Sequence, residues 1–190
     1  GNDVSLWETD GTPEGTKVVK VLCTESMDVC NVRASLSGFA GDYKAFFFIT
    51  TPANGSEPWV TDGTAAGTKV IDILPGTGFS AWLPYVDGAV MDGYFYFPAD
   101  DGSVGMELFK TDGTSSGTSL VKNINLTTGS SYHNRNSRPY QFYRYGNVVL
   151  FTADDGIKGE EVWVTDGTTS GTRLLVETQP GITERGDVMN

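Results

Sequence analysis

Short, dense apolar runs alternate with polar, glycine-bearing turns along the whole chain. Ala45-Phe46-Phe47-Phe48-Ile49, Gly93-Tyr94-Phe95-Tyr96-Phe97 and Val148-Val149-Leu150-Phe151 are rich in aromatic and β-branched side chains and too short for helices, so each reads as a strand. A weaker strand is expected before each run. After it the pattern predicts an acidic or glycine-bearing turn, an aromatic-led strand, a sharp reversal, and a return strand such as Lys17-Val18-Val19-Lys20-Val21 or Thr172-Arg173-Leu174-Leu175-Val176. Four short strands in a meander are thus the expected unit, and the fold class is all-β.

The reversal carries a motif that occurs four times. Its copies are Leu6-Trp7-Glu8-Thr9-Asp10-Gly11-Thr12, Pro58-Trp59-Val60-Thr61-Asp62-Gly63-Thr64, Leu108-Phe109-Lys110-Thr111-Asp112-Gly113-Thr114 and Val162-Trp163-Val164-Thr165-Asp166-Gly167-Thr168. Each continues after two variable residues into a second Gly-Thr, at Gly15, Gly67, Gly117 and Gly171. From aromatic to aromatic the spacings are 52, 50 and 54 residues, close to those of four-stranded propeller blades and too long for leucine-rich or ankyrin repeats.

These residues resemble the bacterial-type ELWxxDGT repeat family, whose copies run Glu-Leu-Trp-x-x-Asp-Gly-Thr-x-x-Gly-Thr and are taken to form β-propeller blades. Glu57, Glu107 and Glu161 fill the leading position, which is Ser5 in the first copy; the second copy has Pro58 for Leu and the third has Phe109 for Trp. The resemblance implies one β-propeller-like domain over residues 1–190, with repeat motifs at 5–19, 57–71, 107–121 and 161–175. It implies about four antiparallel four-stranded blades, one of them split or incomplete. The chain phase admits two arrangements: a ring that closes by pairing its termini, or a segment of a longer array, which is the expectation because an incomplete closing blade leaves an unpaired edge.

In Asp-Gly-Thr the aspartate can accept hydrogen bonds from amides two residues on, and the glycine supplies a positive φ. Asp10, Asp62, Asp112 and Asp166 therefore read as turn builders. Trp7, Trp59, Phe109 and Trp163 are expected to lie buried between neighbouring blades.

Composition narrows the function classes. Thirteen basic against 24 acidic residues give a formal charge of −11, which disfavours nucleic acid and anionic membrane surfaces as partners. No stretch approaches the roughly 20 apolar residues of a membrane-spanning helix. A single histidine and two cysteines cannot supply an HExxH-type zinc set, and no nucleophile signature accompanies His133. No residue is assigned a catalytic role, and glycoside hydrolysis is the least favoured alternative.

Cys23 and Cys30 bracket a short polar segment and read as a disulfide, with two free thiols as the other possibility. Asn54-Gly55-Ser56 and Asn125-Leu126-Thr127 are N-glycosylation sequons. Calcium is the one cofactor the sequence suggests: Asp100, Asp101 and Glu107 align with Asp154, Asp155 and Glu161 and offer hard oxygen ligands, against the plainer reading of self-capping turns. The segment 132–145 stands apart from the repeats. Its Tyr132, His133, Arg135, Arg138, Tyr140, Tyr143 and Arg144 form the candidate ligand surface, suited to stacking on sugar rings and bonding their hydroxyls. The expectation is a secreted or cell-surface structural scaffold whose partners are copies of itself, in a filament or surface layer. A glycan- or protein-binding module is the alternative.

Overall fold

The structure is a computed structural model that describes residues 3–24, 31–38, 44–81, 87–127 and 135–177, with the backbone alone for 31–38. Fourteen strands are described: β1 (Val4–Glu8), β2 (Lys17–Cys23), β3 (Asn31–Gly38), β4 (Ala45–Thr51), β5 (Gly55–Thr61), β6 (Lys69–Val70), β7 (Ala89–Met91), β8 (Tyr94–Ala99), β9 (Glu107–Thr111), β10 (Ser119–Lys122), β11 (Tyr140–Tyr145), β12 (Val148–Asp154), β13 (Glu160–Thr165) and β14 (Arg173–Val176). They form four separate antiparallel sheets: β1-β2, β3-β4-β5-β6, β7-β8-β9-β10 and β11-β12-β13-β14. Each four-stranded sheet is a meander in which every strand pairs with its sequence neighbour.

Hairpin chemistry sets these registers. Between β7 and β8 the two connecting residues, Asp92 and Gly93, both have positive φ (51° and 79°), as a two-residue hairpin turn matching the strand twist requires. Met91 consequently faces Tyr94 across the turn.

The sheets are stacked, with one apolar layer at each junction. Phe46 and Phe48 of β4 project toward the third sheet and pack with Phe95, Phe97 and Phe109, where the Phe46 and Phe95 rings stack at 4.9 Å. Phe47 and Ile49 project the other way and meet Trp59, Val4 and Leu22 at the first junction. Because both faces of β4 are covered, its sequence is a continuous apolar run instead of an alternation. Tyr96, Leu108 and Val121 of the third sheet close on Val149, Phe151 and Trp163 of the fourth.

The motif aromatics show what the stacking direction does. Trp59, Phe109 and Trp163 each face the preceding sheet and are 8%, 3% and 7% exposed. Trp7 corrects the expectation that all four are buried: it is 58% exposed, with Val18 and Val21 open on the same two-stranded sheet. Among the described residues no sheet lies on the side that Trp7 faces, so its ring lacks the cover that a neighbouring sheet gives the other three.

Candidate functional site

The chemistry of this chain is concentrated in its repeated turn, so that turn is built first. In all four copies the aspartate Oδ1 accepts from the backbone N–H and the hydroxyl of the threonine two residues on, at 2.7–2.9 Å. Those bonds hold Asp10, Asp62, Asp112 and Asp166 below the usual aspartate range, the threonine hydroxyl contributing most.

A second set of bonds runs through the threonines. The hydroxyl of the last threonine (Thr16, Thr68, Thr118, Thr172) donates to the carbonyl of the Asp-Gly-Thr threonine. It must then accept from Thr9, Thr61, Thr111 or Thr165 at 2.6–2.7 Å, because each hydroxyl has one proton to give. The latter oxygens in turn accept from the amides of Gly11, Gly63, Gly113 and Gly167. The second glycine is required by space: a Cβ on Gly67 would lie 1.9 Å from Asp62 Oδ1, and the other copies are alike. Every fixed position of Thr-Asp-Gly-Thr-x-x-Gly-Thr is thereby accounted for.

The leading glutamates have a different task. Glu57 is fully buried and accepts from the amides of Ile73 and Leu74 and from Ser80 Oγ at 2.6 Å. Glu107, also fully buried, accepts from Ile124, Asn125 and Ser137 Oγ at 2.6 Å in the same pattern. Burial pushes both carboxyls up to about 7, against the opposing pull of these donated bonds. The same serines reach onward: Ser80 O accepts from Asp100 N and Ser137 O from Asp154 N, tying each connection to the next sheet. Glu161 is likewise buried.

Lysines add a third device across the junctions. Lys20 Nζ donates to Thr68 O and Lys122 Nζ to Thr172 O, both at 2.6 Å, while Lys110 reaches Gly167 O and Lys44 reaches Asp112 O. Each is a side chain of one sheet ending on the turn of the next.

The remaining candidates fall in scattered places. Asp100 and Asp154 cap the amides of Gly102 and Gly156, and Asp101 and Asp155 cap Ser103 and Ile157. Burial raises the first two. Glu107 is spent on the backbone, and among the described residues no three His, Cys, Asp or Glu side chains come together as a metal-holding group. Cys23 is disulfide-bonded, and Cys30 lies outside the described residues. Asn54 sits half-buried in the β4–β5 turn, its amide N–H donating to Thr51 Oγ.

Asn125, the second sequon asparagine, is 4% exposed; its Nδ2 donates to Asn136 O and its Oδ1 accepts from the amide and hydroxyl of Thr127.

Of the candidate ligand surface, Tyr132 and His133 lie outside the described residues. Tyr140 donates its hydroxyl to Glu160, and Arg144 Nε donates to Gly146 O. Tyr143 and Tyr145 point away from the third sheet and are 65% and 70% exposed, whereas Phe142, just before them, stacks on Phe151. Arg138, exposed and at φ 45°, stands apart from that pair. Arg135 instead lines a surface cavity of about 280 Å³ with Ser103, Val104, Asn123, Asn125, Leu126 and Thr127. The segment is therefore divided between a strand face and a loop cavity.

Stacked antiparallel four-stranded meanders with structural turns define an all-β, β-propeller-like class of fold. Comparison with known proteins agrees at that level. No family model matches the chain, and no curated protein matches it. Among solved structures, TolB from Acinetobacter baumannii is similar with a TM-score of 0.53 at 11% identity, over 94% of this chain and 39% of that one. A Bacteroides ovatus protein from a xyloglucan utilisation locus, GH43B, gives 0.42 at 15% identity over 88% of this chain and 35% of that one, and nothing further rests on it. The chain thus spans well under half the length of either. The likeness is one of fold alone.

Proposed function

We propose that this chain is a non-enzymatic structural repeat protein of the extracellular space, a stretch of β-propeller-like array with blades of the ELWxxDGT kind that serves as a scaffold in a filament or surface layer. The observation that supports this reading is the sameness of the bonds. In four copies the motif aspartate closes its own turn, and Glu57 and Glu107 are both spent on the connection that follows. Polar groups repeated in one role build a unit, whereas a catalytic centre needs one distinctive set. Electron microscopy of the native material tests this: filaments or sheets are expected, and dispersed single particles at every concentration would overturn it.

A glycan-binding module is the second reading, favoured by the exposed Tyr143 and Tyr145 on either side of Arg144, an arrangement suited to stacking and hydroxyl recognition. Selective retention on a glycan array, lost in Tyr143→Ser/Tyr145→Ser, is its expected signature. No retention above background would remove it.

A further inference from the structure

The third sheet departs from the second at one place in its interior. In both, the leading glutamate bonds two successive amides and then a serine, but Ser80 follows Glu57 by 23 residues and Ser137 follows Glu107 by 30. The shared bonds align the two connections. Ile73 and Leu74 match Ile124 and Asn125, so Asp72 matches Asn123; counting back two residues from each serine, Gly78 matches Arg135. The turns differ as well: residues 52–54 join β4 to β5, whereas Asp100 to Met106 join β8 to β9.

In the second sheet a leucine takes up the space. A Cβ on Gly78 would stand 2.6 Å from Leu74 Cδ2, and one on Gly102 would stand 3.0 Å from Leu74 Cδ1. In the third, Asn125 turns to bond Asn136 O and Thr127, and the cavity of about 280 Å³ lies beside it. Two polar atoms of its lining side chains, Arg135 Nε and Asn123 Oδ1, are buried with no hydrogen-bond partner in the protein. Neither has a counterpart in the second sheet, where Gly78 has no side chain and Asp72 is exposed. Buried polar groups are unfavourable to leave unbonded, so a pair of them beside one cavity points to a ligand that serves both.

The pair also selects the chemistry of that ligand. Nε–H only donates and Oδ1 only accepts. A carboxylate or phosphate would suit Arg135 but set lone pairs against Asn123 Oδ1. An ammonium would suit Asn123 but be repelled by the guanidinium. A hydroxyl both accepts and donates, so neighbouring hydroxyls satisfy the two side chains together. Charge agrees, because Asp100 on the β8–β9 turn, raised by burial, feels the Arg135 cation and offsets its pull on an anion. Val104 and Leu126 supply an apolar wall for the C–H face of a ring. The volume lies just below the roughly 300–1,000 Å³ of small-molecule sites, which fits one ring and not a chain of them.

We propose that this cavity binds one neutral sugar residue, whose hydroxyls bond Arg135 and Asn123 as both side chains turn onto it and whose ring lies against Val104 and Leu126. The inference goes beyond the scaffold reading and does not depend on it, since an array can carry such a site on one repeat. The site is also separate from the Tyr143 and Tyr145 surface.

The test is an NMR titration of the intact chain with the methyl glycosides of glucose, galactose and mannose, and with inorganic phosphate as the anion control. The Arg135 Nε–H resonance reads the site directly. At least one glycoside is expected to shift that resonance and the amides of Val104 and Leu126 saturably, with phosphate shifting none of them. Arg135→Met and Asn123→Leu should each weaken binding by about tenfold or more, and Tyr143→Ser/Tyr145→Ser should leave it unchanged. Both replacements remove an unbonded buried atom, so their urea midpoints should match or exceed that of wild type. Val104→Trp, which fills the cavity and spares both polar groups, should abolish binding and keeps the test open if a polar variant misfolds. No shift with any glycoside, a saturable shift with phosphate alone, binding indifferent to all three cavity substitutions, or lowered urea midpoints in both polar variants would overturn the proposal. Filaments in native material without glycoside binding would sink this site and leave the scaffold reading intact; binding by dispersed particles would do the reverse.

Discussion

Gly63 and Gly67 sit four residues apart in one turn and are glycine for different reasons. Gly63 has φ 85° with nothing near its missing Cβ, so Gly63→Ala is expected to cost only the left-handed penalty of about 1–2 kcal/mol. Gly67→Ala drives a methyl into the Asp62 carboxylate and should cost more. Urea unfolding of the two variants checks the order, and equal costs would contradict the turn geometry. The buried glutamates add a pH signature. Glu57 and Glu107 bind their protons more tightly folded, near 7, than unfolded, near 4.5, so their contribution is full below 4.5 and is lost as pH rises toward 7. The turn aspartates act oppositely, since their lowered values make stability fall as pH drops below about 3.8. Stability is therefore expected to peak between about pH 4 and 5, with Glu57→Gln/Glu107→Gln flattening the fall toward 7 in urea titrations. A wild-type maximum above pH 7 would refute this.

Between elements, the stitch through Ser80 and Ser137 is the most exposed to test. Each hydroxyl bonds a buried carboxylate, so Ser80→Ala and Ser137→Ala should each lose about 1–3 kcal/mol. Ser80→Ala should also couple strongly to Glu57→Gln in a double-mutant cycle read by urea unfolding; additive effects would break the link. The strands themselves were legible from sequence: the apolar runs 45–49, 93–97 and 148–151 became β4, β8 and β12, and the motif became the turn after β1, β5, β9 and β13. The serine stitch was not. Ser80 follows Glu57 by 23 residues and Ser137 follows Glu107 by 30, so the partner lies in the variable connection and shows no period. The lysine-to-turn bonds were hidden likewise, because they join positions 48 and 50 residues apart through long side chains. The candidate ligand segment looked unified only along the chain; strand alternation sends Phe142 into the core and Tyr143 out.

For the molecule as a whole, equivalent positions differ only by what stands beside them. Sequence shows that Trp7, Trp59 and Trp163 are one motif residue, but it does not show that the sheet facing Trp7 is absent from the described stack. If the motif builds structure, its value must track the neighbour and not the motif. The most direct measurement is the urea unfolding free energy of Trp7→Ala, Trp59→Ala and Trp163→Ala at low protein concentration. Trp59→Ala and Trp163→Ala are predicted to lose about 3–5 kcal/mol each and Trp7→Ala under about 0.5 kcal/mol. Equal losses at all three positions, or a large loss at Trp7 alone, would contradict the account.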